Sequence, residues 1–330
     1  MLTVVFATRN RADILARVLP AFSRLAAPSG GWKLVVIDNG STDATPALLR
    51  SWSDRLPLWA LTEQSAGKNR ALNAALAHLE GDLAVWTDDD VIPATDWLLR
   101  LHDAAEAHPE ATMFGGTVEV DWPGPVPAWL TADAVDLSVL YARNLRPSGP
   151  CDHTAIYGPC MAVRRQVFDG GLRFSEAVGP DASRRFYPMG GETELLRRLN
   201  AAGHRGWFVA EARVRHIVRP EQLEEAWILE RAYRYGLGEG RQYLGRLGVP
   251  GLALRALAFN AAALVLRHGP PSPPRIRALY RARCVAGALA GALATPASRR
   301  ETQPRSAGIS SDAALSSPRP PRARTSAETS

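Results

Sequence analysis

Three adjacent carboxylates are the clearest chemical feature of the chain. Asp88, Asp89 and Asp90 directly follow the apolar run Leu83–Trp86. Like charges at this spacing repel one another unless a cation or hydrogen-bond donors offset them, and Mg²⁺ and Mn²⁺ are bound through oxygen ligands. The cluster predicts either a divalent-metal site that offsets charge on a phosphate group or a solvated acidic turn before a helix that begins near Asp96.

Two further stretches indicate a nucleotide site. In VVIDNGSTDAT, residues 35–45, Asp38 ends an apolar run and could accept hydrogen bonds from a base or a ribose, although the stretch is also a good turn and N-cap sequence. In SAGKNRALNAAL, residues 65–76, Lys68 and Arg70 lie at a helix start, where backbone N–H groups and the helix dipole favour anions. A solvated helix end is the alternative for the second stretch.

Another acidic element lies in PMGGETELLRRLNAAG, residues 188–203. Glu192 shares one helical stripe with three leucines, whereas Glu194 can pair with Arg198 on the solvent side. Glu192 is therefore the better candidate for a carboxylate that faces a cleft, and a partner of the helix dipole is the alternative role. His216 follows a predicted strand at 207–209 and is either a structural histidine or a ligand.

The elements that must position these residues alternate between strands and helices. Four short apolar runs predict strands buried on both faces, and helix-like segments lie between them at Ala12–Leu25 and Ala71–Leu79. Strands separated by helices predict an α/β sheet with right-handed crossovers, whose ligands sit at the carboxyl ends of the strands. Asp38 and the acidic cluster occupy such ends. The runs are residues 2–7, 34–37, 58–61 and 83–86.

The second half of the chain has a different pattern. Short strands and Pro-rich loops follow Met113, and a helix is predicted from Glu192 to Ala202, before Gly203. A helical region then runs to about residue 294, with a breaker at 268–274. From residue 295 onward Ser, Pro, Arg and Ala dominate, which predicts a disordered tail.

Composition limits the partners and the compartment. The 330 residues carry a formal net charge of +6, which suits a phosphate-bearing substrate, a nucleic acid or an anionic lipid surface. Nucleic acid is disfavoured, because the arginines concentrate in the terminal region without interleaved stacking aromatics. Three cysteines at no metal-like spacing predict neither a disulfide framework nor a zinc site. With no leader-like segment before residues 2–7, we expect a cytoplasmic protein.

The apolar C-terminal helices raise the question of a membrane. No stretch supplies the roughly 18 uninterrupted apolar residues of a spanning helix, because Arg255 and Asn260 interrupt residues 251–266. The surrounding arginines suit a helix that lies on an anionic membrane surface. A packed helical hairpin with solvated arginines is the alternative.

Taken in order, seven stretches resemble the family 2 glycosyltransferases of the GT-A fold, over about Leu2–Tyr243. They are VVFATRNR, VVIDNGSTDAT, GKNRALNAAL, WTDDDVIP, GPCMAVRRQVF, GGETELLRRL and VRHIVRPEQ. The resemblance implies an α/β, Rossmann-like, mixed and mostly parallel sheet flanked by helices. The expected divisions are a nucleotide-sugar-binding half (1–110), an acceptor-binding and catalytic half (111–220), a C-terminal helical extension (221–295) and a disordered tail (296–330).

The resemblance also implies an activity. A hexosyltransferase of this type would move a sugar from a nucleoside diphosphate donor, in the first instance a UDP-sugar, to a hydroxyl of a glycan or lipid-linked acceptor. Mg²⁺ or Mn²⁺ would be the cofactor, and the anomeric configuration would invert. Such an enzyme would serve glycan or polysaccharide biosynthesis in the cytoplasm or at the inner face of the membrane.

Residue roles follow from the same resemblance. Glu192 would be the base, with Glu194 in reserve, because the family's Glu-Asp pair is replaced here by Gly191-Glu192. Cys160 stands where relatives often have Asn. The remaining roles are Thr8 and Arg9 beside the base pocket, Asp38 on the base or ribose, Lys68 and Arg70 near the base and diphosphate, Asp88 near the ribose, Asp89 as leading metal ligand, Asp90 in support, and His216 at the metal or diphosphate.

Two other functions are compatible with parts of the sequence. The string Asp88-x-Asp90 fits a haloacid-dehalogenase-like phosphatase, with a nucleophile and an acid, although that motif ordinarily follows the first strand of its fold. A non-catalytic, transferase-like scaffold would apply if the aspartates bound no metal.

Overall fold

The structure is a computed structural model that describes residues 1–131, 133–242 and 248–294. The predicted disordered tail, residues 296–330, lies outside these ranges, as does Tyr243 at the end of the family resemblance.

One mixed sheet organises the molecule. Within the described ranges it has nine strands, in the order β3-β2-β1-β4-β8-β6-β9-β5, with β7 paired to β9. The longer ladders are parallel, and β8 is antiparallel to both of its neighbours. The strands are β1 (Leu2–Thr8), β2 (Trp32–Asp38), β3 (Leu58–Thr62), β4 (Leu83–Trp86), β5 (Val91–Pro93), β6 (Ala111–Asp121), β7 (Gly149–Cys151), β8 (Met161–Arg164) and β9 (Arg205–Ile217).

Helices cover both faces of the central part of the sheet, which explains the continuous apolar strands β1, β2 and β4. The prediction that β3 is also buried on both faces was wrong, because it is an edge strand with Trp59 and Ala60 exposed. Alternate residues of β1 belong to two separate cores: Val4 and Phe6 pack in the cluster with α1, and Val5 packs in the cluster with α3 and α7. The helices are α1 (Ala12–Phe22), α2 (Thr45–Trp52), α3 (Lys68–Ala75), α4 (Trp97–Ala107), α5 (Leu137–Tyr141), α6 (Gln166–Asp169), α7 (Gly191–Ala201), α8 (Glu225–Gln242), α9 (Gly248–Leu266) and α10 (Pro273–Leu293).

Asp38 and the acidic cluster lie at the carboxyl ends of their strands, as predicted. β1 is parallel to β2 and to β4, and Thr8 is in register with Asp38. The acidic cluster follows β4 at the same edge. β5, which continues from the cluster, pairs antiparallel with β9 and sets Val91 opposite His216. This ladder brings a residue from late in the chain to the acidic cluster.

Several predicted boundaries differ from the structure. The helix predicted at Ala12–Leu25 ends at Phe22, and the one predicted at Ala71–Leu79 spans Lys68–Ala75. The strand predicted at 207–209 is β9, which extends from 205 to 217 and contains His216. Its second half alternates exposed charged residues with buried ones, a period of two that marks a half-buried strand.

The C-terminal region is helical, with its break between α9 and α10, as predicted. α8 and α10 run parallel and in very close contact through glycines. Added Cβ atoms at Gly236 and Gly240 would lie only 1.9 Å from backbone oxygens of Cys284 and Ala288. Glycine is required here because the two helix backbones touch.

α9 corrects the expectation that no stretch suits a spanning helix. Among the described residues it is the one helix that is long and apolar enough to cross a membrane, judged by length and composition alone. Arg255 and Asn260 lie within it without interrupting the helix.

The glycine contact between α8 and α10 gives a stability prediction. We expect Gly240→Ala to lower the free energy of unfolding by about 1–3 kcal/mol, because its new Cβ must push the helices apart. The measurement is urea or thermal unfolding of the full chain. Gly124→Ala is the matched control, since an added Cβ there has no neighbour within 4 Å. Equal stability of the two variants would contradict the close packing.

Candidate functional site

A cavity of about 1670 Å³ opens at the carboxyl ends of β1, β2 and β4. The acidic cluster lies on one side of it, and the start of α7 and one face of α8 lie on the other. Eight of the predicted site residues line this cavity: Thr8, Arg9, Lys68, Asp88, Asp89, Asp90, Glu192 and His216.

Each carboxylate of the cluster faces a different partner. Asp88 Oδ1 lies 2.5 Å from Lys68 Nζ. Asp89 Oδ2 accepts a hydrogen bond from Thr8 Oγ1 at 2.7 Å and lies 3.9 Å from Arg11 Nε. The mutual repulsion of the cluster is thus offset by donors from β1, the following loop and α3.

Asp90 is paired with His216. Asp90 Oδ1 lies 3.3 Å from His216 Nε2, and His216 Nδ1 lies 2.8 Å from the carbonyl oxygen of Tyr141. The carbonyl accepts from Nδ1–H, which leaves Nε2 to face the carboxylate. Burial acts to raise the pKa of Asp90, but the imidazole outweighs it and holds that pKa well below its usual range. Burial acts to lower the pKa of His216, and Asp90 raises it instead.

Asp89 carries the largest electrostatic penalty of the three. Burial and then the nearby Asp90 raise the pKa of Asp89 to about 7, against the opposing effects of Arg11 and Thr8. A divalent cation would relieve this penalty, and carboxylate oxygens with one imidazole suit Mg²⁺ or Mn²⁺. The donor types of these residues suit such an ion, and their ligand atoms do not all lie within 4.8 Å of one another in this structure. Asp89, Asp90 and His216 are the side chains that would hold it.

A cation from α3 also reaches the candidate base. Lys68 Nζ lies 2.5 Å from Glu192 Oε1 as well as from Asp88. Burial acts to lower the pKa of Lys68, but the two carboxylates outweigh it and raise that pKa. Burial acts to raise the pKa of Glu192, and Lys68 lowers it instead. Lys68 therefore joins the two sides of the cavity.

Glu192 and Glu194 face different surroundings, as their helical stripe predicts. Glu194 Oε1 lies 2.9 Å from Arg198 Nε, which confirms the predicted pair, and it is not among the cavity-lining residues. Glu192 lines the cavity. Gly158 lies beside it, since a Cβ added there would be 3.2 Å from Glu192 Cδ.

The two glycines before Glu192 allow a close approach, and the approaching group belongs to α3. Gly190 has φ +97°, and a Cβ added at Gly191 would lie 2.5 Å from Asn69 Nδ2. The same Nδ2 donates hydrogen bonds to the carbonyl oxygens of Ser175 and Val178. Asn69 thus fixes the start of α7 relative to Lys68.

Besides Glu194, two predicted residues do not line the cavity. Asp38 is buried and accepts a hydrogen bond from the Ser41 N–H at 2.9 Å, as its turn interpretation predicts. Arg70 lies at the surface with its Nε 3.0 Å from Glu176 Oε2.

Asn39, which sequence reasoning did not select, lines the cavity next to Asp38. Its Nδ2 donates to the carbonyl oxygens of Glu63 and Ser65 at 2.8 Å, and its Oδ1 accepts from the Gly67 N–H at 3.0 Å. Asn39 therefore holds the loop that leads into Lys68. The sequence feature that could have identified Asn39 is its position in the turn after β2.

Sequence reasoning also missed two arginines beside the acidic cluster. Besides Arg11, Arg219 lies with its Nη1 3.9 Å from Asp90 Oδ2. Within the described residues this buried Nη1 has no hydrogen-bond partner. An unsatisfied donor beside a cation site is suited to a phosphate oxygen.

One face of α8 forms the remaining wall, and nothing in the resemblance had singled it out. Burial raises the pKa of Glu239 on this face to about 7. The sequence feature that could have identified this face is the recurrence of polar and aromatic residues every three or four positions along the helix. The lining residues are Trp227, Glu230, Arg231, Arg234, Tyr235, Glu239 and Gln242.

Comparison with known proteins identifies a family. The model of Glycosyl transferase family 2 matches residues 3–172. The chain is 25% identical to the succinoglycan biosynthesis protein ExoM of Rhizobium meliloti (strain 1021) over 295 residues, which cover 86% of this chain and 90% of that protein. It is 37% identical to a validoxylamine A glucosyltransferase of Streptomyces hygroscopicus subsp. jinggangensis (strain 5008) over 169 residues, which cover 50% of this chain and 35% of the relative.

Solved structures share the fold. A mannosyltransferase from Pyrobaculum calidifontis, in complex with GDP-Man and Mn²⁺, matches with a TM-score of 0.52 and 22% identity over 89% of this chain and 75% of that one. S. aureus TarS 1–349 in complex with UDP matches with a TM-score of 0.51 and 15% identity over 92% of both chains. The expected GT-A fold is confirmed, and the haloacid-dehalogenase alternative is not favoured.

The raised pKa of Asp89 gives a pH prediction. A carboxylate must lose its proton to bind a metal ion, so we expect Mn²⁺ affinity to rise with pH and to level off above about 7. At one pH unit below that value the affinity should be about tenfold weaker. Calorimetric titration with Mn²⁺ measures it. Asp89→Asn should lose this dependence together with most of the affinity, whereas the exposed Asp54→Asn should not. A flat profile for the wild type would contradict the assignment.

Proposed function

Because this chain belongs to glycosyl transferase family 2, we propose that it transfers a hexose from a nucleoside diphosphate sugar to an acceptor hydroxyl with inversion. A UDP-sugar is the proposed donor, and Mg²⁺ or Mn²⁺ the cofactor. One observation carries the proposal. Asp88 and Glu192 lie on opposite sides of one cavity, and Lys68 contacts both carboxylates.

The donor would lie at the ends of β1 and β2. Thr8, Arg9 and Asn39 line the cavity there and would border the nucleoside, with Asp88 near the ribose. Asp89, Asp90 and His216 would hold the divalent ion, which when bound supplies positive charge against the departing diphosphate. Arg219 would donate its unsatisfied N–H to a phosphate oxygen.

Glu192 would act as the base. It would accept the proton of the acceptor hydroxyl as the new glycosidic bond forms on the face of the sugar opposite the leaving group. In the structure Lys68 neutralises Glu192 and lowers its pKa. A bound diphosphate would compete for this ammonium group. Withdrawal of Lys68 from Glu192 would raise the pKa of the carboxyl and free it to take a proton.

The acceptor would enter between α7 and α8. Glu239, Tyr235 and Gln242 share one helical face that lines the cavity, and hydroxyls of a sugar suit such carboxylate, phenol and amide groups. Gln242 Nε2 lies 3.4 Å from the carbonyl oxygen of Met189, just before the start of α7. A glycan or a lipid-linked sugar is the proposed acceptor, in a cytoplasmic pathway of polysaccharide assembly.

A panel of nucleotide sugars tests the donor without an acceptor. With UDP-, GDP- and dTDP-sugars, we expect at least one to stabilise the protein against heat only when Mn²⁺ or Mg²⁺ is present, and to be hydrolysed slowly. Asp89→Asn should lose both effects, and Asp54→Asn should keep them. If no nucleotide sugar bound in the presence of metal, the proposal would be abandoned.

Substitution of the two glutamates tests the base. Glu192→Gln should slow donor hydrolysis by about 10²–10⁴-fold, the usual contribution of a positioned base, while metal-dependent donor binding persists. Glu194→Gln is the control on the same helix and should stay near the wild-type rate. Loss of hydrolysis in Glu194→Gln with activity kept in Glu192→Gln would reverse the assignment.

A further inference from the structure

Most of the surface of α9 is left uncovered by the residues that the structure describes. Its buried residues are Ala256 and Ala263, seven positions apart, so that a narrow stripe of alanine contacts the rest of the molecule. On the opposite side Leu254 is 70% exposed, Leu257 71% and Val265 82%. These residues share one face by helical spacing. Isolated apolar side chains at a surface are ordinary, but a continuous apolar helix face marks a binding surface.

The charge around this face has one sign. Residues 248–294 contain six arginines and neither Asp nor Glu. Arg255 lies at the flank of the apolar face of α9, and Arg267 directly follows its last turn. The arginines are Arg255, Arg267, Arg275, Arg277, Arg281 and Arg283. The surface therefore suits a partner that is both apolar and anionic.

The packing of α10 decides how α9 is oriented. Arg275, at the start of α10, lies 2.5 Å from Glu225 at the start of α8, and Ile276 is buried in the same cluster as Ile228. α9 packs against α10 and begins six residues after Gln242, which contacts Gly190, so both of its ends lie near the body of the protein. A spanning orientation would carry the start of α10 across a bilayer, away from these contacts. α9 must instead lie along the surface of the domain.

Other occupants fit this surface poorly. A second copy of the chain, docked through the same face, would bring together two sets of arginines without carboxylates. The segment from 295 to 330 is rich in Ser, Pro and Arg, and contains only Ile309 and Leu315 as large apolar residues. It cannot cover a helix of nineteen residues.

We propose that α9 lies in the plane of an anionic lipid bilayer, with Leu254, Leu257 and Val265 in the acyl boundary and with Arg255 and Arg267 on the headgroup phosphates. Basic helices with an apolar face bind anionic membranes in this way. α10 packs on the glycine face of α8, while another face of α8 lines the cavity. The membrane would thus hold the enzyme from the side away from the catalytic groups. The inference does not depend on the identity of the donor or the base.

Vesicle binding tests the inference with the full chain. Sedimentation would be compared on vesicles of phosphatidylcholine and on vesicles in which about a third of the lipid is phosphatidylglycerol. We expect binding to the anionic vesicles that weakens at high salt. The triple variant Leu254→Ser, Leu257→Ser, Val265→Ser should lose at least about tenfold in partition coefficient. Its targets are exposed, so its thermal unfolding should match the wild type.

The control removes exposed apolar groups elsewhere. Trp59→Ser and Val126→Ser, at an edge strand and a loop, should bind vesicles like the wild type. Absence of wild-type binding to anionic vesicles would overturn the proposal, as would a triple variant that binds unchanged. A lipid-free dimer in sedimentation velocity that the triple variant dissociates would also overturn it, in favour of a second copy as the occupant.

Discussion

The site depends on how the protein offsets negative charge that it has concentrated at the end of a buried strand. Three carboxylates in sequence after β4 would repel one another in a partly buried cavity. Each is neutralised from a different direction: Asp88 by Lys68, Asp89 by Thr8 and Arg11, and Asp90 by His216. The negative charge that remains least compensated is that of Asp89, whose pKa is raised. Added positive charge would therefore stabilise the cluster most at Asp89.

Lys68 links this charge balance to the opposite wall. One ammonium group contacts carboxylates from the end of β4 and from the start of α7. The geometry around it is fixed by uncharged groups, since Asn39 holds the loop before α3 and Asn69 packs directly on Gly191. Movement of the Lys68 ammonium group from Glu192 to a bound anion would therefore change the protonation of Glu192 without moving the backbone around it.

The helices after residue 220 complete the cavity. They also lie between the cavity and the exposed apolar surface of α9. α8 turns one face to the cavity and its glycine face to α10. α9 lies outside α10 and keeps a broad apolar surface exposed. The family match ends at residue 172, before these helices begin. We propose them as the place of acceptor binding and of membrane attachment.

The sequence by itself determined the features that are written in local patterns. Apolar runs located β1, β2, β3 and β4, the helical stripe separated Glu192 from Glu194, and the breaker at 268–274 separated α9 from α10. These predictions succeed because strand burial, helical periodicity and proline geometry are each determined by a few neighbouring residues. Boundaries were less accurate, since the end of a helix or strand depends on what packs against it.

Only the tertiary structure decided which of these residues meet. The contact between Lys68 and Glu192 joins positions 124 apart in the chain, and the pair of Asp90 with His216 exists because β5 and β9 share a ladder. Arg70 lies at the surface beside Glu176, although it stands two residues from Lys68. The cavity face of α8 depends on how that helix packs on α5 and α10. Such contacts depend on the relative placement of whole elements, which no local pattern encodes.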